Sequence, residues 1–144
     1  MHSPHPTPDE QAAITQAGQR AEQRVLAALS QLLAPWQFFH AVEWRTLNAY
    51  GESVGEADVA VFHPHHGAAV IEVKAGAVSI RNGDWHYASG LAMKWSPFDQ
   101  ARRNRYALEQ KLAQRLGAED AGRLRVTHAV WLPEVVWQGP LPGT

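Results

Sequence analysis

A chain of 144 residues has the length for one domain with a real core, and its 45% hydrophobic and 19% charged content excludes a disordered chain. Thirteen Lys and Arg against fourteen Asp and Glu leave a net charge of −1, which excludes a protein that coats nucleic acid through its overall charge; any such contact needs a local basic patch. The absence of cysteine excludes disulfides, thiolate metal sites and a cysteine nucleophile, so carboxylates, histidine, lysine or hydroxyls must carry any chemistry.

The first seven residues lack periodicity and are predicted to be a flexible N-terminus. They show no basic segment followed by an apolar run, and no stretch of the chain approaches the ~18 apolar residues of a membrane span, so the expected compartment is the cytoplasm. Thr7-Pro8-Asp9-Glu10 has the form of a capping box and opens a helix predicted to run to about Ala34, before Pro35. Ile14, Ala17, Ala21, Val25, Leu29 and Leu32 form its apolar stripe, and Glu22 stands at the stripe's edge.

Trp36–Trp44 is aromatic and β-branched and is predicted to be a strand, residues 45–55 a loop, and Glu56–Phe62 and Ala68–Lys74 two more strands around a His-rich turn. Asn82-Gly83 marks a further hairpin. Ser96-Pro97-Phe98-Asp99 opens a second helix that ends at Gly117, with Phe98, Ala101, Leu108, Leu112 and Leu116 as its buried stripe. Leu124–Leu132 is a last, mostly apolar strand, and residues 137–144 form a Pro/Gly-rich tail or linker, as expected if the chain is one domain of a longer protein. The order of elements predicts an α/β domain over residues 8–136 with a mixed sheet.

If the turn is symmetric about His65, Asp58 faces Glu72 and Glu56 faces Lys74, while Ala57, Val59, Val61, Ala69, Ile71 and Val73 form an apolar face that a helix must cover. Two carboxylates placed opposite each other repel, and a hard divalent cation resolves that repulsion; without cysteine, Mg²⁺ or Mn²⁺ fits better than zinc. Lys74 on the same face could reach a phosphate or an attacking water, and metal, carboxylates and lysine together are equipment for phosphodiester hydrolysis. Spacing alone leaves a solvated, charged strand end equally open. Glu22 becomes a third carboxylate if the first helix packs near that end, and a solvated boundary residue otherwise.

These residues resemble the nuclease-related domain family, NERD, of the PD-(D/E)XK nuclease superfamily. The likeness rests on Glu22, Gly55-Glu56-Ala57-Asp58, Ile71-Glu72-Val73-Lys74, Gly76, the Trp85 hairpin, Ser96-Pro97-Phe98-Asp99-Gln100 and His128-Ala129-Val130. It covers about residues 18 to 136 and departs from the pattern at Ala57, where the superfamily's name has proline, and at Ala21, which stands where the family has Gly before Glu. The resemblance implies an αβββαβ core, here with an inserted hairpin and helices flanking the sheet. It further implies Mg²⁺ held by Asp58, Glu72 and the Val73 carbonyl, with Lys74 aiding the nucleophilic water, Glu22 supporting the metal and Gln100 matching the family's glutamine. DNA is the implied substrate, and helicase or kinase modules are implied companions in a longer protein. The rival expectations are a nucleic-acid-binding or adaptor module without turnover, and a hydrolase of another phosphate ester.

The second helix carries Arg102, Arg103, Arg105, Lys111 and Arg115 against Asp99 and Glu109, a local charge of +3, with Gln100, Arg103 and Asn104 on one face near its N-terminus. DNA contact through Gln100 and Arg103 and a merely solvated face both account for this. His63, His65 and His66 are expected to be exposed turn residues, and His128 a hydrogen-bonded core residue. Trp36, Trp44 and Trp131 are expected in the core, and Trp85 and Trp95 near a substrate surface.

Overall fold

The computed structural model describes residues 5–48 and 51–139. Helix α1 (Pro8–Leu29) begins at Thr7, whose hydroxyl accepts the Glu10 N–H while the Glu10 carboxylate accepts the Thr7 N–H, completing the capping box. It ends five residues earlier than predicted. The Ser30 hydroxyl donates to the Ala27 carbonyl at 2.6 Å, and beyond it Leu32 and Leu33 are exposed, so no buried face remains to sustain the helix.

Four strands form a sheet in the order β1-β2-β3-β6. Strands β1 (Gln37–Asn48) and β2 (Gly51–His63) are antiparallel, β2 pairs antiparallel with β3 (Gly67–Val73), and β3 pairs parallel with β6 (Val126–Trp131). The predicted loop over 45–55 is instead strand: pairing continues to Asn48↔Gly51, because the ladder is made by backbone and tolerates Gly51 and Gly55. Residues 49 and 50 lie outside the described residues. The β2–β3 register from His63↔Gly67 to Val59↔Ile71 is the one expected from symmetry about His65. Gly67 has φ 90°, and a Cβ there would lie 2.0 Å from the Arg125 carbonyl oxygen, so only glycine lets the turn close against the start of β6.

One face of the sheet is covered by α1, as the apolar strand positions require. Ala21, Val25 and Leu29 pack with Val59, Ile71 and Val73, and each large aliphatic side chain so buried contributes about 1.5–3 kcal/mol. Helix α2 (Pro97–Leu116) covers the other face through Ala107 and Leu108. The Ser96 hydroxyl caps it by accepting the Asp99 N–H at 3.0 Å, and Gly117 at φ 84° closes it. A short α3 (Ala118–Arg123), not predicted, links it to β6. Hairpin β4 (Ser79–Arg81) and β5 (Asp84–His86) turns at Asn82-Gly83, both at positive φ, and stands beside the sheet.

Strict alternation fails at one point. Ala57 was expected beside Val59, but it packs with Val42 and Val70 against α2, whereas Val59 packs against α1. Between the pairs His40↔Val59 and Val42↔Ala57 stands Ala41 with φ 51°, a left-handed value that costs a residue with a Cβ about 1–2 kcal/mol. Both strands turn over at this kink, and Asp58 sits at its centre.

Trp85 is buried with Val78, Met93, Phe98 and Trp137, which corrects its expected surface role: the hairpin folds its ring inward because β4 and β5 have no other core of their own. Trp36 is partly exposed rather than core, and its ring lies 4.7 Å from that of His63, which is thereby buried rather than exposed. Trp131 packs at the α1 core, and the Trp44 side chain lies outside the described residues. Nδ1 of His128 is buried without a hydrogen-bond partner among the described residues, contrary to expectation, and burial, together with the nearby cationic Arg105 and Arg102, lowers the pKa of the ring. Among the described residues no helix is long and apolar enough to cross a membrane.

Candidate active site

The kink delivers Asp58 to the end of β3. The β2–β3 ladder stops at Val59↔Ile71, and the Val73 N–H instead donates to Asp58 Oδ2 at 2.9 Å, so a side chain takes the place of the next backbone partner. Glu72 is buried one residue earlier on β3. Lys74 follows the last residue of β3, and its main-chain N–H donates to the Trp131 carbonyl, which fixes where its side chain leaves the sheet. Its Nζ lies 3.1 Å from Glu72 Oε1 and donates to Gln100 Oε1 at 2.9 Å. Gln100 in turn donates through Nε2 to the Trp95 carbonyl at 3.3 Å. The paired acids of β2 and β3, the lysine and the glutamine of α2 are thus one connected group.

Above it lies a cleft of about 470 Å³ between sheet and helix, with Glu56, Asp58 and Glu72 on the sheet side and Gln100, Arg103 and Asn104 on α2. The basic residues of α2 divide here. Arg102 is paired with Asp99 at the surface and the part-buried Arg105 with Glu109, whereas Arg103 has no ion pair among the described residues and lines the cleft.

Burial is the main cause that raises the Glu72 carboxyl from 4.5 to about 7; the Asp58 charge adds to it, and the Lys74 ammonium opposes it. Burial also pushes Asp58 up, against the Val73 N–H and with the Glu22 charge. Both acids therefore sit where ionisation is disfavoured, and a compensating cation would stabilise them.

Glu22 on α1 is close enough to raise both acids, but its Oε2 is held by His40 Nε2 at 2.8 Å. Sequence reasoning missed His40. Its partner Val59 adjoins Asp58, a signal that requires the β1–β2 register, which no glycine turn marks. Among the described residues no group of three or more His, Asp or Glu side chains is gathered to hold a metal. Buried Glu72 and part-buried Asp58 are hard oxygen donors that fit Mg²⁺ or Mn²⁺, which commonly take one or two carboxylates and complete their shell with water and substrate oxygen.

An α/β domain with a mixed central sheet flanked by helices, and with acids and a lysine at the sheet's end, is a nuclease-like fold. The model of the family described as "Nuclease-related domain" (NERD) matches residues 17–133. The chain belongs to the NERD family, consistent with the PD-(D/E)XK superfamily. Searches of curated proteins and of solved structures found no match.

Proposed function

We propose that this domain is a metal-dependent nuclease that hydrolyses phosphodiester bonds in DNA. The observation that carries the reading is the junction at the end of β3: buried Glu72, Asp58 fastened to the Val73 N–H, and Lys74 between Glu72 and Gln100, with Asp58, Glu72 and Gln100 lining one cleft. Asp58, Glu72 and the Val73 carbonyl would hold Mg²⁺ or Mn²⁺, which when bound polarises a phosphate oxygen and lowers the pKa of water. Lys74, held by Gln100, would orient the attacking water and offset charge on the scissile phosphate. Arg103 would take a neighbouring phosphate from the opposite wall.

Purified protein should cleave DNA with Mg²⁺ or Mn²⁺ and not with EDTA, and Asp58→Asn should abolish cleavage while preserving the fold. Equal cleavage by Asp58→Asn would reject the site. One observation favours a second reading, a nucleic-acid-binding module without turnover: the Lys74 ammonium already lies on Glu72, where it compensates the acid without a metal. Calorimetric titration with Mn²⁺ separates the two, because the second reading expects no binding that depends on Asp58.

A further inference from the structure

The cleft continues onto a surface that hydrolysis alone does not require. Trp95, the residue before the cap of α2, is 46% exposed. Single exposed apolar side chains are common on folded proteins and need no explanation. Trp95 differs in its surroundings. The Arg103 guanidinium lies over the ring, 4.6 Å from its centroid, and Lys94 Nζ 5.9 Å from it, so a half-exposed indole carries two cations and a base would stack on the part of the ring they leave uncovered. Arg103 is also a wall of the cleft that holds Asp58 and Glu72. The Trp95 main-chain carbonyl is tied through Gln100 to Lys74, so the backbone that carries the indole is only one side chain removed from the lysine at the proposed reaction centre.

Cations against a half-exposed aromatic ring match a polynucleotide strand, whose phosphates alternate with flat bases. In a continuous duplex every base face is covered by its neighbours, and an indole gains nothing from it. A stacked base must come from a single strand, an overhang or an unpaired end. We propose that Trp95 is a stacking platform for an unpaired base next to the scissile phosphate, with Arg103 on the adjoining phosphate, so that the domain acts on strands with unpaired bases rather than on continuous duplex. This deepens the nuclease reading and rests on it for the scissile phosphate.

Binding in EDTA tests the platform without any turnover. Affinities of the parent, Trp95→Ala and Trp95→Phe are measured by fluorescence anisotropy on a labelled single-stranded oligodeoxynucleotide, the oligoribonucleotide of the same sequence, and a duplex whose ends are closed by hairpin loops too distant to bridge. Trp95→Ala should weaken single-strand binding by about tenfold, the loss of one stacked base, and leave duplex binding within about twofold. Trp95→Phe should retain most of the affinity, which separates loss of the ring from loss of the fold. A loss on the DNA strand alone, or on the RNA strand alone, assigns the sugar. Equal losses on strand and duplex, no loss on either strand, or a Phe variant as weak as the Ala variant would overturn the platform. A parent that binds strands through Trp95 but cleaves nothing with any divalent metal would sustain the platform and reject only the nuclease reading.

Discussion

Replacing Glu72 with glutamine keeps the shape of a buried side chain and removes its ionisation. In the metal-free parent the folded state holds the Glu72 proton more tightly than the unfolded chain does, since burial lifts the carboxyl from 4.5 to about 7. The folded state therefore binds more protons between these values, and linkage makes stability fall as pH rises through that window. The contribution is fully present below about 4.5 and is lost as pH passes about 7. At about 1.4 kcal/mol per pH unit the complete loss is about 3 kcal/mol. Urea denaturation in EDTA, at pH 5 and pH 8, reads it directly. Parent and Glu72→Gln should be equally stable at pH 5, and the variant should be the more stable by about 1–3 kcal/mol at pH 8, the lower figure applying if Lys74 loses more than it retains through Gln100. Ionisable groups other than Glu72 are common to both proteins and cancel in the difference. A variant that is less stable at pH 8, or a difference that does not change with pH, would refute the buried, repelled carboxyl as the source.

In EDTA, Asp58→Asn should melt at or above the parent, and Mn²⁺ should raise the Tm of the parent while leaving the variant nearly unmoved; equal shifts would place the ion elsewhere. Arg103→Ala should reduce the slope of log affinity against log salt by about 0.7–0.9, the loss of one phosphate contact, whereas Gln100→Ala should weaken binding without changing that slope. Ala41→Gly should match the parent or gain up to about 1 kcal/mol in urea denaturation, and Ala41→Val should lose stability, because φ 51° opposes a β-branched residue. Trp85→Ala should cost about 3–5 kcal/mol, as removal of a buried indole does, whereas Trp95→Ala should stay within about 0.5 kcal/mol of the parent.

Local chemistry determined most of the elements. Thr7 and Ser96 are caps wherever the chain goes, Asn82-Gly83 reaches positive φ as a hairpin turn requires, and the period of two through Val59, Val61, Ile71 and Val73 dictates both strand and buried face. The symmetry of the short His65 turn set the register from His63↔Gly67 to Val59↔Ile71, but the ladder stops there, short of the pairing of Asp58 with Glu72 and of Glu56 with Lys74 that the same symmetry would give. What extended past such local signals depended on tertiary contact. The β1–β2 pairing through residues 45–48 and 51–55 is a cooperation between two backbones, to which glycine is no barrier. The kink at Ala41 leaves no mark in the sequence, since alanine has no preference for the left-handed region; the packing of two helices on opposite faces imposes it. That kink moves Ala57 across the sheet and turns Asp58 onto the Val73 N–H. The same holds for side chains that meet over long stretches of chain. His40 reaches Glu22, Gln100 reaches Lys74, and Arg103 alone among the first arginines of α2 is left to the cleft, because pairing and distance between separate elements are decided only when the helices dock.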